Sequence, residues 1–434
     1  MAQASVGPLQ ASVRTSPSYS LQHARPNSFR AMHVSVLNMA GDEVAALDVE
    51  PEWVATDLLR RLEGETLPLQ YLRLLNGGVE VRGDVTMAVA AVEEGSQLTL
   101  VRISRRLYVF TASADRTARV WRADTGECLN ILEGHTDEVR TAVLSPDGTL
   151  VLTASLDGKA KLWSLEDGAC LRTLEGPGER GWVGEHSRLG GLFSAEFSPD
   201  GTLALTASSA GFAKLWSIES GECLQTFEGP MFMAVFSPDG GRVLTVSRSG
   251  DVKICKADTG ECFQTLNTQL PPPQPHVGML SAAFSPDCAH VLTSAHDGAA
   301  RLWNVESGEL VRTLRGYTVV ASECAAAYSP DGASVITADK EGTVYVWGAE
   351  TGQFLRMVQC GDISIVSAAF SPSPKEHFPA IGDDAVVLVA TDRPHWGDAG
   401  GIAMLWSVAG GECLCAFRGH TGAIRSACFG LAAV

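Results

Sequence analysis

The chain has 434 residues, of which 45% are hydrophobic and 19% charged, with a formal net charge of −17 and a pI near 5.0. This composition is typical of a globular protein with room for two or three domains, and its apolar runs are too short to span a membrane. The acidic balance argues against nucleic acid or an anionic membrane as a partner, because both attract basic surfaces.

Residues 1–30 differ from the rest, with six Ser, three Pro, three Arg and no Asp or Glu. This composition is typical of an organellar transit peptide, and equally of a solvated disordered tail. We favour a disordered tail because no amphipathic helix emerges from the pattern.

Residues 31–104 do not repeat. Two alternating strands around a Gly turn, "MHVSVLNMAGDEVAALDVE", precede the helical spacing of "EWVATDLLRRLEG" and the strand-like segments "YLRLLNGGVEV" and "QLTLVRI". This β-β-α-β-β order resembles a ubiquitin-like β-grasp domain of the α+β class. The segment runs into "SRRLYVF" without a Gly-Gly terminus, so the resemblance implies a built-in ubiquitin mimic and not a conjugated modifier.

The resemblance also implies an apolar recognition patch at Met39, Leu75 and Val101. The alternative is that one or more of these side chains belong to the core or are isolated surface residues. The segment carries twelve acids against five Arg, more acidic than the near-neutral balance of ubiquitin.

From residue 105 onward one unit recurs. "VRTAVLSPDGTLVLTASLDGKAKLWSLEDGACLRTLEG" aligns with later copies such as "SAEFSPDGTLALTASSAGFAKLWSIESGECLQTFEG". Six copies carry a marker Trp and a seventh carries Cys255 in its place: Trp121, Trp163, Trp216, Trp303, Trp347 and Trp406. Each copy reads as four short strands separated by turns such as Ser-Pro-Asp-Gly, and such units bury their faces only by stacking on one another.

These copies resemble WD40 repeats, whose signature is Gly-His before the unit and Trp-Asp near its end. The resemblance implies a mainly β chain with a seven-bladed WD40-type propeller over residues 105–434, preceded by the β-grasp domain at 31–104. Gly-His survives only at Gly134-His135 and Gly419-His420, and no copy retains the Asp after Trp.

In the family, a His, a Ser or Thr, an Asp and the Trp form a buried hydrogen-bonded tetrad. The resemblance places one tetrad at His135, Ser155, Asp157 and Trp163. The first copy lacks an innermost strand, and the segment 423–430 is an innermost strand with nothing after it. We therefore expect the chain ends to share one blade, with His420 near Ser113, Asp115 and Trp121.

The eleven cysteines first suggest a redox or metal site. Their odd number favours free thiols and a reducing compartment. Cys128, Cys170, Cys223, Cys262 and Cys413 share one repeat position, so they belong to different blades and cannot converge on one metal. They are expected to pack as small apolar residues.

No phosphate-binding loop, His-Glu-x-x-His or Cys-x-x-Cys motif is present in the sequence. We therefore predict no enzyme activity, metal or cofactor. Insertions between repeats carry Trp182 and Trp396, which the repeat does not need, and Arg140 and Arg425 lie where innermost strands begin. Trp and Arg are enriched at binding hot spots, so these four residues are the candidates for contact with a protein partner. The alternative is mobile loops with tucked-in aromatic side chains.

These features predict a cytoplasmic scaffold or adaptor that binds proteins or peptides, with a nuclear or organellar location left open. In the first hypothesis the ubiquitin-like domain docks onto ubiquitin or proteasome machinery. In the second the chain is a general WD40 scaffold unrelated to ubiquitin, and in the third, disfavoured by the small residues of the innermost strands, it is a propeller enzyme.

Overall fold

A computed structural model shows a chain built mainly of β-strands. The described residues are 32–37, 43–50, 52–53, 58, 72–76, 79–81, 86–87, 90–93, 95–102, 105–175, 190–208, 210–229, 231–247, 250–266, 268, 279–295, 297–315, 325–372, 377–378, 384–392 and 400–433. Within these ranges no helix has the length and hydropathy needed to cross a membrane. The chain divides into two compact units, residues 1–103 and 104–434.

Unit 1 contains one five-stranded mixed sheet. Its strands are β1 (Met32–Leu37), β2 (Glu43–Val49), β3 (Leu72–Asn76), β4 (Val79–Val81) and β5 (Gln97–Arg102). Their order across the sheet is β2-β1-β5-β3-β4. Strands β1 and β5 run parallel, and the other neighbours are antiparallel.

The core of unit 1 comes from alternate strand residues. Val34, Val36, Leu74 and Leu98 are fully buried, as expected where side chains alternate between the two sides of a strand. Most of the predicted helix "EWVATDLLRRLEG" lies outside the described residues. Its Leu58 is helical and packs in the same core.

Unit 2 contains seven four-stranded antiparallel sheets among its described residues. Sheet I combines the last strand with the first three: β33 (Ile424–Ala433), β6 (Arg105–Ser113), β7 (Ala118–Arg122) and β8 (Cys128–Leu132). Sheet II is β9 (Val139–Leu144), β10 (Leu150–Ser155), β11 (Ala160–Ser164) and β12 (Cys170–Leu174). Sheet III is β13 (Leu192–Phe197), β14 (Leu203–Ser208), β15 (Phe212–Ser217) and β16 (Cys223–Glu228).

The remaining four sheets repeat this order. Sheet IV is β17 (Met231–Phe236), β18 (Arg242–Ser247), β19 (Val252–Lys256) and β20 (Cys262–Leu266). Sheet V is β21 (Met279–Phe284), β22 (His290–Ala295), β23 (Ala299–Asn304) and β24 (Leu310–Arg315). Sheet VI is β25 (Ala325–Tyr328), β26 (Ser334–Ala338), β27 (Thr343–Gly348) and β28 (Phe354–Gln359). Sheet VII is β29 (Ile365–Phe370), β30 (Val386–Thr391), β31 (Ala403–Ser407) and β32 (Cys413–Phe417).

The first strands of the sheets, which we call the inner strands, contact one another in cyclic order. Strand β9 contacts β13, and the series continues through β17, β21, β25 and β29. Strand β33 contacts both β29 and β9, and pairs along its length with β6 from Ile424↔Ser113 to Ala433↔Arg105. The two ends of unit 2 therefore meet in sheet I, which leaves no inner strand without a neighbour.

The outermost strands contact the following sheet through the third residue of each strand. Asn130 of β8 donates to the Leu165 carbonyl of sheet II at 2.7 Å, and Arg356 of β28 donates to the Val408 carbonyl of sheet VII at 3.2 Å. Arg172 and Gln225 make the same kind of contact. A long polar side chain at this position thus satisfies a backbone carbonyl in the turn of the next sheet.

In sheet V, Cys288 replaces the Gly of the Ser-Pro-Asp-Gly turn. Gly148 has a positive φ of 77°, and Cys288, at the equivalent position of sheet V, has a φ of 59°. A residue with a Cβ is rarely found in this left-handed conformation. The turn geometry is therefore kept at this position despite an unsuitable residue.

Candidate interaction site

Two arginines and one glutamate meet where two neighbouring inner strands begin. Glu138 lies just before β9, and its Oε2 accepts bonds from Arg425 Nε at 3.1 Å and from Arg140 Nη1 at 3.3 Å. Arg140 and Arg425 are the second residues of β9 and β33, so the strand contact brings their side chains together. Both guanidinium side chains are about 30% exposed.

An aromatic ring extends this cluster onto the next inner strand. The Arg140 guanidinium lies 5.1 Å from the Phe193 ring centroid, a cation–π geometry. Phe193 is the second residue of β13 and therefore occupies the same strand position as the two arginines. We call Glu138, Arg140, Phe193 and Arg425 the mouth. Two cations share one carboxylate there, so the mouth carries a net positive charge on an acidic chain.

The fifth residue of β13, Glu196, is a carboxylic acid, whereas the residues at the same position of the other inner strands are uncharged. Glu196 takes the place that Val143, Val235, Ala283 and Cys428 occupy on other inner strands. Its Oε2 accepts the Phe236 N–H at 2.8 Å. Burial raises the pKa of Glu196 to about 7, although that hydrogen bond favours the charged form. Glu196 is therefore only partly ionised near neutral pH.

The buried tetrads use a different hydroxyl from the predicted one. In sheet II, His135 Nε2 lies 2.8 Å from Thr153 Oγ1, Trp163 Nε1 donates to the same oxygen at 2.9 Å, and His135 Nδ1 lies 2.9 Å from Asp157. The prediction of Ser155 is wrong. Its hydroxyl instead donates to the Asp137 carbonyl and accepts the Asp157 N–H.

Sheet I contains the equivalent network across the chain ends. His420 contacts Thr111 Oγ1 and Asp115 Oδ2, each at 2.8 Å, and Trp121 Nε1 donates to Thr111. Ser113 is not the bridging hydroxyl, because it accepts the Asp115 N–H. In both sheets the hydroxyl belongs two residues earlier. The Thr and the Ser point to the same side of the strand, but the Thr lies two residues and the Ser four residues from the one that pairs with the Trp, so only the Thr is close enough to the indole.

The carboxylates of both tetrads are held in the charged form. Burial alone would raise the pKa of Asp157, but hydrogen bonds from His135 and the Thr136 N–H lower it to about 2. The pKa of Asp115 also lies well below its ordinary value, because bonds to His420 and Thr117 outweigh the effect of burial.

Three further Trp side chains also bond a threonine: Trp216, Trp303 and Trp347 donate to Thr206, Thr293 and Thr337 at 2.8–3.0 Å. In sheet VII the corresponding position is Val389, and the buried Trp406 Nε1 has no hydrogen-bond partner among the described residues.

The expectation of free thiols is wrong for one pair. Cys255 and Cys262 face each other across β19 and β20 and form a disulfide. In the other copies the same register pairs Trp with Cys, as for Trp163 and Cys170, or Trp with an apolar residue. Among the described cysteines only this pair forms a disulfide, because Cys255 replaces the Trp. Over the described ranges no cluster of three His, Cys, Asp or Glu side chains suits a metal ion.

Several predicted site residues lie outside the described residues, namely Trp182, Trp396 and Met39. In unit 1, Leu75 is half-buried and pairs with Thr99, while the backbone of Val101 pairs with Arg73 on the same two strands. The sequence pattern missed Glu138 and Phe193. The alignment of the repeats could have found Phe193, because it shares the strand position of Arg140.

Comparison with known proteins identifies the repeats. Residues 126–164, 168–217, 261–304 and 308–348 match the family model described as WD domain, G-beta repeat. Human apoptotic protease-activating factor 1 is 30% identical over 117 residues, which is 27% of this chain and 9% of that protein's length. The chain thus spans a small fraction of the relative it matches. The segments that build the sheets of unit 2 include WD40 repeats.

Proposed function

We propose that residues 105–434 form a seven-bladed WD40-type propeller that serves as a non-enzymatic scaffold for protein or peptide partners. The observation that carries this proposal is the mouth, where Arg140, Arg425 and Phe193 converge at the start of three consecutive inner strands. Arginine and aromatic side chains dominate the energetics of many protein interfaces. A partner with carboxylates could replace part of the hydrogen bonding that Glu138 now provides.

The insertions that carry Trp182 and Trp396 belong to the same proposed binding face. The insertion with Trp182 lies between two copies of the repeat, and the insertion with Trp396 lies within the last copy. Insertions of this kind often mark the binding face of a repeat array. We place the scaffold in the cytoplasm.

For residues 31–104 we propose a ubiquitin-like β-grasp domain, preceded by a tail at 1–30. The support is the sheet order β2-β1-β5-β3-β4 with its central parallel pair. Leu75 and Val101 lie on the adjacent strands β3 and β5, within the register expected of a shared patch. Through Met39, Leu75 and Val101 the domain would dock onto ubiquitin receptors, the proteasome or a ligase.

Affinity purification from cells tests both the role of the mouth and the role of the ubiquitin-like domain. The baits are the intact chain, a chain lacking residues 1–104, the double variant Arg140→Ala/Arg425→Ala, and Leu75→Ala. Lys256→Ala serves as the control, since it removes an exposed charge on the third strand of sheet IV.

Partners of the mouth should be retained by the deletion and the control, and lost by the double arginine variant. Ubiquitin-system proteins should be recovered with the intact chain and lost with both the deletion and Leu75→Ala. Identical partner sets from the intact and shortened chains would overturn the ubiquitin-like role, and an unchanged set with the double variant would overturn the role of the mouth.

A further inference from the structure

The outermost strand β28 carries an apolar residue where four other outermost strands carry a threonine. The fourth residue of the outermost strand is Thr in four sheets: Thr173, Thr226, Thr265 and Thr313. In β28 it is Met357, which is 57% exposed, and Leu355 two residues earlier is 54% exposed. Two large apolar side chains therefore stand at alternate positions of β28, as Leu129 and Ile131 do on β8, whereas β12, β16 and β20 each expose one.

The neighbouring strand β24 continues this apolar surface. Leu310 and Val311 are exposed on β24, and Phe354 is exposed at the start of β28. Gly352, in the turn before β28, packs against β24, since a Cβ at this glycine would lie 3.1 Å from Arg312 Cδ. Arg312 of β24 therefore reaches the turn that leads into β28. We call Leu310, Arg312, Leu355 and Met357 the rim patch.

The charge of these two strands is opposite to that of the chain. Strands β24 and β28 contain Arg312, Arg315 and Arg356 and no Asp or Glu, although the chain has a net charge of −17. The other outermost strands carry one Arg, Arg172, and one Glu, Glu228. A partner of this surface is therefore expected to combine apolar side chains with carboxylates.

Strand β28 also presents an unpaired backbone edge. It is the last strand of sheet VI, and none of the described strands pairs with its outer side. Such an edge accepts an extended peptide by β-augmentation, in which backbone bonds supply affinity and alternate side chains supply specificity.

We propose that β28 binds an extended acidic peptide as a fifth strand of sheet VI, with apolar residues at alternate positions packing on Leu355 and Met357 and a carboxylate on the same side of the peptide facing Arg312. This site goes beyond the proposed function, because it lies at the rim and does not involve the mouth or unit 1.

Fluorescence anisotropy with the full chain tests the proposal. The probe is a fluorescein-labelled decapeptide in which Leu, Val and Glu occupy alternate positions and Thr the positions between them. The comparison peptides replace its acids by Lys, or carry N-methyl groups on the backbone of alternate residues. The wild-type chain should bind the acidic peptide, bind the lysine peptide at least tenfold more weakly, and fail to bind the N-methylated one.

Three variants alter the rim patch: Leu355→Thr, Met357→Thr and Arg312→Gln. Thr occupies the Met357 position in four other sheets, and Gln225 and Gln264 occupy the Arg312 position. Leu355 is 54% exposed, so all three variants should fold. Each should raise the Kd about tenfold. Leu224→Thr is the matched control, since Leu224 is the equivalent of Leu355 on β16 and is also 54% exposed.

Absence of binding to the acidic peptide, or equal binding by Leu355→Thr and Leu224→Thr, would overturn the proposal. So would a dimer, seen by analytical ultracentrifugation, that Leu355→Thr converts to a monomer, because the rim patch would then pair two copies of the chain.

Discussion

The His420 imidazole lies 2.8 Å from the Thr111 hydroxyl, although 309 residues separate them in the chain. Because the ionised Asp115 carboxylate can only accept, His420 Nδ1–H donates to it. The Thr111 hydroxyl bonds His420 Nε2 and also accepts the hydrogen of the Trp121 indole. The carboxylate therefore orients the histidine, and the threonine links it to the Trp and ties the two ends of unit 2 together.

Replacing that threonine should destabilise unit 2. Thr111→Val keeps the shape but leaves the Trp121 indole N–H and His420 Nε2 without a partner, which we expect to cost about 1–3 kcal/mol of unfolding free energy. Ser113→Ala should cost less, because its hydroxyl only accepts one backbone N–H. Differential scanning calorimetry measures both. A larger loss for Ser113→Ala would show that the serine, and not the threonine, completes the network.

In sheet VII a threonine can be added at the position where the other sheets already have one. Val389→Thr introduces a hydroxyl at the position from which Thr337 accepts the Trp347 indole in sheet VI. The buried Trp406 Nε1 would gain an acceptor, so the variant should be more stable by about 1 kcal/mol. Val389→Ala, which removes methyl groups and adds no acceptor, should be less stable than wild type in urea unfolding. A destabilised threonine variant would show that the indole faces elsewhere.

Glu196 should make the stability of unit 2 depend on pH. Its pKa is about 7 in the folded protein against 4.5 as its ordinary value, so the unfolded chain releases this proton first. Wild-type stability should therefore fall as the pH rises from about 4.5 to 7, by roughly 3 kcal/mol at most. Glu196→Gln keeps an acceptor for the Phe236 N–H and should be the more stable protein above pH 7, with the advantage gone below pH 4.5.

Asp200→Asn should change the pH dependence of stability in the opposite direction to Glu196→Gln. Hydrogen bonds from Ser198 and the Thr202 N–H lower the pKa of Asp200, so its charge stabilises the fold above its ordinary pKa of 3.8. The asparagine variant should be the less stable protein at pH 8. Parallel pH profiles for Glu196→Gln and wild type would contradict the account of Glu196.

The Cys255–Cys262 disulfide should stabilise sheet IV under oxidising conditions. For a loop this short, the loss of chain entropy in the unfolded state corresponds to about 2 kcal/mol. Dithiothreitol should lower the melting temperature of wild type, and Cys262→Ser should melt at the lower temperature with or without reductant. Alkylation of both cysteines in the native, unreduced protein, detected by mass spectrometry, would show that the bond is absent.

The strands of unit 2 could be located from the sequence because every copy of the repeat contains the same strand segments and turns. The alignment placed Cys128, Cys170, Cys223, Cys262 and Cys413 at one position, and each begins an outermost strand in the structure. The same alignment could not distinguish Thr153 from Ser155, because both are small hydroxyl residues on one strand and only their distance from the Trp163 indole separates them.

By itself the sequence determined the period of the repeat, the turns between strands and the residues that alternate into the core. These follow from local rules: a strand repeats every two residues, and Pro, Asp and Gly favour particular turn angles. The tertiary structure decided which distant residues meet. Glu138 meets Arg425, 287 residues further along the chain, because the contact between β9 and β33 brings them together. Such pairings depend on the packing of whole sheets, and no local pattern encodes them.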